Sequence, residues 1–166
     1  SESWNRGTLK DPDYFRTTLI ELHIGEEAYG VAAGSGLIRL TLRAASEKIL
    51  QKLILEDIPT FLKELGNGFT FIDNEYKIKL DDRYNNIDLL LYNIKYKCYV
   101  VVELKVTELK KEHTGQIMTY MNYIDKNIKT IEENDTAGII ICKQDNEYVI
   151  KYCSDDRIIA REYELV

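Results

Sequence analysis

The chain has 166 residues, of which 45% are hydrophobic and 30% are charged, and its formal net charge is −6. This length suits one domain with a real core. No uncharged apolar run approaches the ~18 residues that a membrane span needs, so we expect no membrane partner. The start of the chain lacks a signal-peptide core, which predicts a cytoplasmic protein. The acidic balance counts against nucleic acid, although residues 74–111 carry eight basic and six acidic side chains, a local excess of +2.

Residues 1–45 are predicted to form an N-terminal extension or linker. Residues 11–12 read Asp-Pro, a turn or helix-start signal, and residues 14–22 fit a short helix. Residues 25–36 contain four glycines, which favours a hinged connection, and they lack the lysine of a phosphate-binding loop. Residues 37–42 fit an alternating strand or the start of a helix.

From residue 46 onward the pattern predicts one folded domain over 46–166. A helix is predicted over 46–65, with Ser46 as its N-cap, and Pro59 should kink or split it because proline removes one ladder hydrogen bond. The periodicity then predicts strands at about 70–80, 84–93 and 97–106, a helix at about 110–128, a buried strand at 137–142, a strand or short helix at 148–152, and a terminal strand at 158–164. The predicted order is α-β-β-β-α-β.

The three cysteines, Cys98, Cys142 and Cys153, have no CxxC spacing and an odd count. Cys98 and Cys142 lie in apolar, strand-like runs. Buried free thiols are therefore favoured over a zinc site or a disulfide.

Charged side chains occur inside two strands that otherwise look buried. Residues 100–106 read Val-Val-Val-Glu-Leu-Lys-Val, and the alternation of a strand puts Glu103 and Lys105 on one face. Asp88 lies in a similar apolar run over 87–92. Burying a charged side chain costs on the order of several kcal/mol unless the charge is paired or binds a metal. Two carboxylates and a lysine in such strands therefore indicate a divalent-metal site with a cationic helper. The alternatives are a surface pair of Glu103 with Lys105, and Asp88 as a strand-entry residue.

The site forms only if the two strands pair in the right register. In an antiparallel hairpin, directly opposed residues share a face. Asp88 and Glu103 therefore share a face only if the numbers of opposed residues add to an odd sum, which requires an even-numbered loop such as a tight turn at Ile94-Lys95.

Four phrases in order resemble the PD-(D/E)XK nuclease superfamily, and within it the YhcG-type bacterial domain. They are Glu64-Leu65-Gly66-Asn67-Gly68-Phe69, Ile87-Asp88-Leu89-Leu90-Leu91-Tyr92, Val102-Glu103-Leu104-Lys105 and Gly115-Gln116-Ile117-Met118-Thr119-Tyr120. The resemblance covers about residues 46–166 and touches Leu9-Lys10-Asp11-Pro12. It implies a mixed α/β fold with the restriction-endonuclease-like αβββαβ core.

The resemblance also implies roles for particular residues. Asp88, Glu103 and the backbone carbonyl of Leu104 would hold Mg²⁺ or Mn²⁺, hard cations that prefer oxygen ligands. Lys105 would orient water or stabilise charge on the phosphate, and Gln116 would help to hold Lys105 or the water.

One helix residue departs from the family. Gln51 stands where family members often carry a metal-shell glutamate; its amide oxygen could still hold a metal-bound water, which makes it a candidate metal-site residue. Gln51 cannot supply the negative charge of a glutamate, so this departure bears on how tightly the site binds its ion.

Two neighbours of Gln116 have a bland and a functional interpretation. Tyr120 could share the helix face of Gln116 at i+4, but core packing is favoured. His113 could touch phosphate, but a solvent-facing helix position is favoured.

The predicted function is a metal-dependent nuclease that hydrolyses phosphodiester bonds of nucleic acid, with DNA as the expected partner. The alternative is a nuclease-fold module that binds nucleic acid or assembles with proteins and cuts weakly or not at all. A homodimer fits the chemistry, because cutting both strands needs two sites. The resemblance further implies a larger protein in which an N-terminal helical region precedes this domain.

Overall fold

The computed structural model describes residues 19–22 and 46–166. The elements in chain order are β1 (Ile20–Leu22), α1 (Glu47–Glu56), α2 (Ile58–Leu65), β2 (Phe69–Leu80), β3 (Arg83–Asn93), β4 (Cys98–Glu108), α3 (Lys111–Asn127), β5 (Ala137–Gln144), α4 (Glu147–Lys151) and β6 (Ile158–Leu165). The strands form one mixed sheet in the order β1-β6-β5-β4-β3-β2. Strands β2, β3 and β4 pair antiparallel, whereas β4, β5, β6 and β1 pair parallel. The predicted mixed α/β fold and its αβββαβ order are confirmed.

The long helix predicted over 46–65 is two helices that meet at Asp57. Ser46 caps α1 by accepting a 3.3 Å hydrogen bond from the Ile49 N–H. Asp57 ends α1 and caps α2, accepting a 3.2 Å hydrogen bond from the Thr60 N–H. Pro59 lies in the first turn of α2, where its missing N–H costs no ladder bond. The predicted split at the proline is thus what the structure contains.

The helix predicted over 14–22 is wrong at its described end. Ile20–Leu22 is β1, which pairs parallel to β6 with Ile20 opposite Tyr163. Ile20 and Leu22 are buried and Glu21 is exposed, the period-2 pattern of a strand. Three residues are too few to distinguish this alternation from one helix turn. The other predictions for residues 1–45, including the glycine-hinged segment, lie outside the described residues.

The sheet is covered on both faces, and the alternation of β4 decides which residues face which helices. Val100, Val102 and Leu104 pack in a cluster with residues of α1 and α2, while Val101 packs in a second cluster with residues of α3. Residue 103 therefore turns toward the α3 face. The charged positions of β4 lie on the side of the sheet that α3 covers.

Helix α3 approaches the sheet closely because β5 carries a glycine. A Cβ at Gly138 would lie 2.6 Å from the Met121 sulfur and 3.0 Å from a side-chain carbon of Ile117. Cys98 and Cys142 are buried free thiols, as predicted, and burial raises the pKa of each to about 12. Within residues 19–22 and 46–166, no helix is long and apolar enough to cross a membrane.

Candidate active site

The register of β3 on β4 places Asp88 level with Glu103. Leu89 pairs with Val102 and Asn93 with Cys98, so opposed residue numbers add to 191. This odd sum is the geometric condition for a shared site. The loop is even-numbered, as required, but it comprises residues 94–97 rather than a two-residue turn.

Beyond the Leu89–Val102 pair, β3 and β4 cease to pair. We call the region in which Asp88 lies opposite Glu103 and Leu104 the notch. On the other side of β3, Glu75 of β2 interrupts the ladder: it has a φ of 49° and falls between the paired residues Asn74 and Tyr76. Asp88 therefore has no ladder partner on β2 and none on β4. Side chains satisfy its backbone instead, because a buried unpaired N–H or C=O group is costly.

The two carboxylates accept hydrogen bonds across this notch. The Asp88 N–H donates to Glu103 Oε1 over 3.4 Å, and the Leu104 N–H donates to Asp88 Oδ2 over 2.8 Å. In a strand the N–H and C=O of one residue point toward the same neighbour. The Leu104 carbonyl is thereby directed into the notch, beside the Asp88 carboxylate.

Gln51 closes the notch from the α1 side. It is only 8% exposed, and its Nε2 donates a 3.0 Å hydrogen bond to the Asp88 carbonyl oxygen. The helix position expected to join the metal shell therefore contacts Asp88, through the backbone. The sequence could identify the position but not this hydrogen bond.

No ion pair neutralises the two carboxylates of the notch within the described residues, and the charge of Lys105 acts on Glu103 from beyond ion-pair distance. Glu103 is 4% exposed, and its burial, followed by the negative charge of Asp88, raises the pKa of Glu103 well above its usual range. Among the described residues, no Lys, Arg or His lies within ion-pair distance of either carboxylate. A bound cation would supply the missing positive charge.

The donor set fits a hard divalent cation. Two carboxylates and a backbone carbonyl are the oxygen ligands that Mg²⁺ and Mn²⁺ prefer. No group of three His, Cys, Asp or Glu side chains suited to a metal occurs in the described part of the chain. The Leu104 carbonyl, which the resemblance implies as a third ligand, stays a prediction.

A chain of side-chain hydrogen bonds runs from β4 to α3. Lys105 Nζ donates to Gln116 Oε1 over 3.1 Å, and Gln116 Nε2 donates to the Tyr120 hydroxyl oxygen over 3.2 Å. Tyr120 is 5% exposed, and burial, followed by the charge of Glu103, raises its pKa. The structure thus brings all four residues predicted as catalytic, Asp88, Glu103, Lys105 and Gln116, together around the middle of β4.

Tyr120 and His113 make hydrogen bonds that the favoured interpretations of these residues did not include. The Tyr120 ring packs in the core as favoured, but its hydroxyl also holds Gln116, a contact that the i, i+4 spacing allowed. His113 is half-buried and its Nδ1 accepts a 3.1 Å hydrogen bond from the Lys110 N–H at the start of α3. Burial, then the charges of Lys105 and Lys110, lower the His113 pKa. The signal for His113 was its place in the first turn of the helix.

The chain has a mixed sheet with two carboxylates and a lysine where two strands part. This arrangement is that of the PD-(D/E)XK nuclease fold. A family model described as the YhcG PDDEXK nuclease domain matches residues 37–166, and the chain belongs to that family. The resemblance inferred from the sequence is confirmed.

Individual relatives are more distant. The Escherichia coli (strain K12) protein named "Putative nuclease YhcG" is 25% identical over 123 residues, covering 72% of this chain and 33% of that protein. The chain thus spans about one third of that relative's length. The structure described as "Structure of EndoMS-dsDNA2 complex" superposes with a TM-score of 0.51 at 17% identity, covering 73% of this chain and 44% of the other. A repair endonuclease from Pyrococcus abyssi gives 0.49 at 18% identity, covering 74% and 47%. The EndoMS superposition shows a shared fold.

Proposed function

We propose that this domain is a divalent-metal-dependent nuclease that hydrolyses phosphodiester bonds of DNA. The observation that carries the proposal is the placement of Asp88 and Glu103 in one notch without a cationic partner among the described residues. Membership of the nuclease family supports the same reaction class.

Each residue of the notch has a role in this proposal. Asp88, Glu103 and the Leu104 carbonyl hold Mg²⁺ or Mn²⁺, which when bound polarises the scissile phosphate and lowers the pKa of a water molecule. Lys105, which follows two residues after Glu103 on the same face of β4, stabilises negative charge that develops on the phosphate oxygens. Gln116 holds Lys105 in position through the 3.1 Å hydrogen bond.

The choice of DNA as substrate and the place of this domain in a larger protein rest on the comparisons with other proteins. A structure that shares this fold is described as a complex with dsDNA, which favours DNA over RNA. We propose that cutting both strands uses two copies of the site, as a homodimer supplies. The chain spans about one third of the length of the E. coli protein, and we propose that it works as one domain of a larger protein.

One observation favours the alternative of a weakly cutting or non-cutting module. Gln51 directs its amide N–H to the Asp88 carbonyl and brings no carboxylate to the notch. A site with two acidic ligands binds a cation less tightly than one with three. Such a module would bind nucleic acid or assemble with proteins without rapid hydrolysis.

A plasmid-nicking assay in Mg²⁺, Mn²⁺ or EDTA tests the proposal. We expect nicking that requires the metal and disappears in Asp88→Asn. The exposed Asp156 provides a matched control, and Asp156→Asn should cut normally. If the purified protein nicks equally well in EDTA, or if Asp88→Asn retains full activity, the proposal is wrong. Supplying RNA in the same assay separates the two substrates.

A further inference from the structure

A two-stranded ribbon projects from the sheet beside the notch. Strands β2 and β3 continue as a hairpin from the Tyr76–Ile87 pair to the Leu80–Arg83 pair, and residues 81–82 form its turn. Strand β4 does not pair with this part of β3. The ribbon therefore begins at the point where β3 parts from β4, next to Asp88.

One face of the ribbon is anchored in the core. Ile78 and Ile87 are 1% and 0% exposed and pack in the cluster that contains the residues of α3. An isolated hairpin is only marginally stable in water. This packing gives the ribbon a fixed position relative to Asp88.

The opposite face carries two lysines around a tyrosine. Lys77 and Lys79 flank Ile78 and so point away from the α3 cluster, and the partner of Lys79 across the ribbon is Tyr84. The Lys77 and Lys79 ammonium nitrogens lie 4.3 Å and 5.6 Å from the centre of the Tyr84 ring. All three side chains are exposed, Tyr84 by 61%. We call these three residues the lysine–tyrosine patch.

The patch has the charge and position of a substrate-binding surface. The ring draws two positive charges together by cation–π attraction. Neither lysine forms an ion pair with a carboxylate among the residues that the structure describes. Two lysines held this close repel each other, which an anion lying against them would relieve. The ribbon, residues 76–87, carries three basic side chains against the exposed Asp81 and Asp82 of its turn, a net charge of +1 in a chain of net charge −6. The two lysines of the patch therefore offer positive charge to a polyanion on a chain that is acidic elsewhere.

The patch lies further along β3 from the notch, on the face of the ribbon that is turned away from α3. Tyr84 precedes Asp88 by four residues on β3, or about 13 Å at about 3.3 Å per residue. We propose that the lysine–tyrosine patch binds the phosphate backbone of the nucleic acid outside the notch, on the part of the substrate that flanks the bond to be cut. This inference rests on the proposed nuclease function.

The salt dependence of DNA binding tests the patch. Fluorescence anisotropy with a labelled DNA duplex in EDTA measures affinity without cleavage. Each phosphate contact contributes about −0.9 to the slope of log K against log salt. Removing two contacts in Lys77→Gln/Lys79→Gln should make the slope shallower by about 1.8. Between about 50 and about 200 mM salt, the unaltered chain should then lose about tenfold more affinity than the variant does.

A control with the same loss of charge isolates position from net charge. Lys95 lies in the turn at the other end of β3 and Lys126 in the last turn of α3, and both are exposed. Lys95→Gln/Lys126→Gln should keep the original slope, and Lys77→Arg/Lys79→Arg should retain binding. If the patch variant and this control have equal affinities and slopes, the patch does not bind DNA and the inference is wrong.

A small phosphodiester separates this inference from the proposed function. Bis(p-nitrophenyl) phosphate can enter the notch but cannot extend to the patch. Metal-dependent hydrolysis of this compound should be equal in the unaltered chain and in the patch variant. Hydrolysis that falls with the patch variant would mean that the lysines support the notch itself, which contradicts a separate binding surface. Absence of hydrolysis together with absence of plasmid nicking would refute the nuclease, while the anisotropy would still decide the patch.

Discussion

Asp88 and Glu103 each accept a hydrogen bond from the backbone of the strand that carries the other residue. Glu103 Oε1 receives the Asp88 N–H at 3.4 Å, and Asp88 Oδ2 receives the Leu104 N–H at 2.8 Å. The two carboxylates thus replace ladder hydrogen bonds at the point where β3 and β4 part. The arrangement holds like charges together, which is unfavourable until a proton or a cation joins them.

Glu103→Gln is expected to stabilise the metal-free protein at pH 7. Burial and Asp88 raise the pKa of Glu103 above its ordinary value of 4.5, so the folded state binds this proton more tightly than the unfolded state. The resulting stability is fully present below that ordinary value and is lost as pH rises through the raised pKa. Glutamine keeps the shape without ionising. In EDTA at pH 7, the melting temperature of Glu103→Gln should exceed that of the unaltered chain, by roughly 2–4 °C for each kcal/mol gained in the free energy of unfolding.

The pH dependence provides the check on this prediction. Near pH 4 the difference in melting temperature should shrink, because Glu103 is then neutral in both states. Glu132→Gln, at an exposed loop position, should melt like the unaltered chain at both pH values. A difference between Glu103→Gln and the unaltered chain that stays constant across pH would contradict the raised pKa.

Mn²⁺ should stabilise the unaltered chain and not Asp88→Asn. A ligand that binds only the folded state stabilises it by about 2.7 kcal/mol at about 100 times its dissociation constant. Asparagine removes one negative ligand and leaves the other carboxylate alone. Thermal melts with and without Mn²⁺, together with calorimetric titration, measure this. Equal Mn²⁺ affinity in both proteins would place the ion elsewhere.

Lys105→Met should separate chemistry from metal binding. Lys105 is not within ion-pair distance of Asp88 or Glu103, and its ammonium group instead donates to Gln116. Mn²⁺ affinity should therefore change little, while metal-dependent nicking should fall on the order of 10²–10³-fold, as for loss of one transition-state donor. Gln116→Ala, which acts through Lys105, should cost less than Lys105→Met. Normal nicking by Lys105→Met would remove this residue from the reaction.

Gln51→Glu should bind Mn²⁺ more tightly and melt at a lower temperature without metal. Glutamate cannot donate to the Asp88 carbonyl as the amide does, and it adds a third negative charge to the notch. A cation would convert that repulsion into an additional ligand. Lys52→Glu, at the next and exposed position of α1, should leave Mn²⁺ affinity unchanged. If both substitutions leave it unchanged, Gln51 has no part in the metal shell.

Local signals in the sequence were sufficient for most elements. Ser46 and Pro59 predicted where α1 begins and where the helical segment divides, because capping and the missing proline N–H act within one turn. The segment with Ile20 was misjudged, since β1 consists of three residues whose partner, β6, lies more than a hundred residues further along the chain. A strand that short depends on its neighbour rather than on its own pattern.

The sequence by itself identified the candidate site residues, because charges inside apolar strands are costly and therefore informative: Asp88, Glu103 and Lys105 were proposed from their places in such strands. It also reduced the geometry to one condition, an odd sum across the hairpin. Only the tertiary structure decided that this condition holds, through the four-residue loop and the resulting register. The hydrogen bonds of Gln51 and Tyr120 and the buried anchoring of the ribbon were likewise decided there. Such contacts join residues distant in sequence, and their formation depends on how helices pack on a twisted sheet rather than on any local pattern.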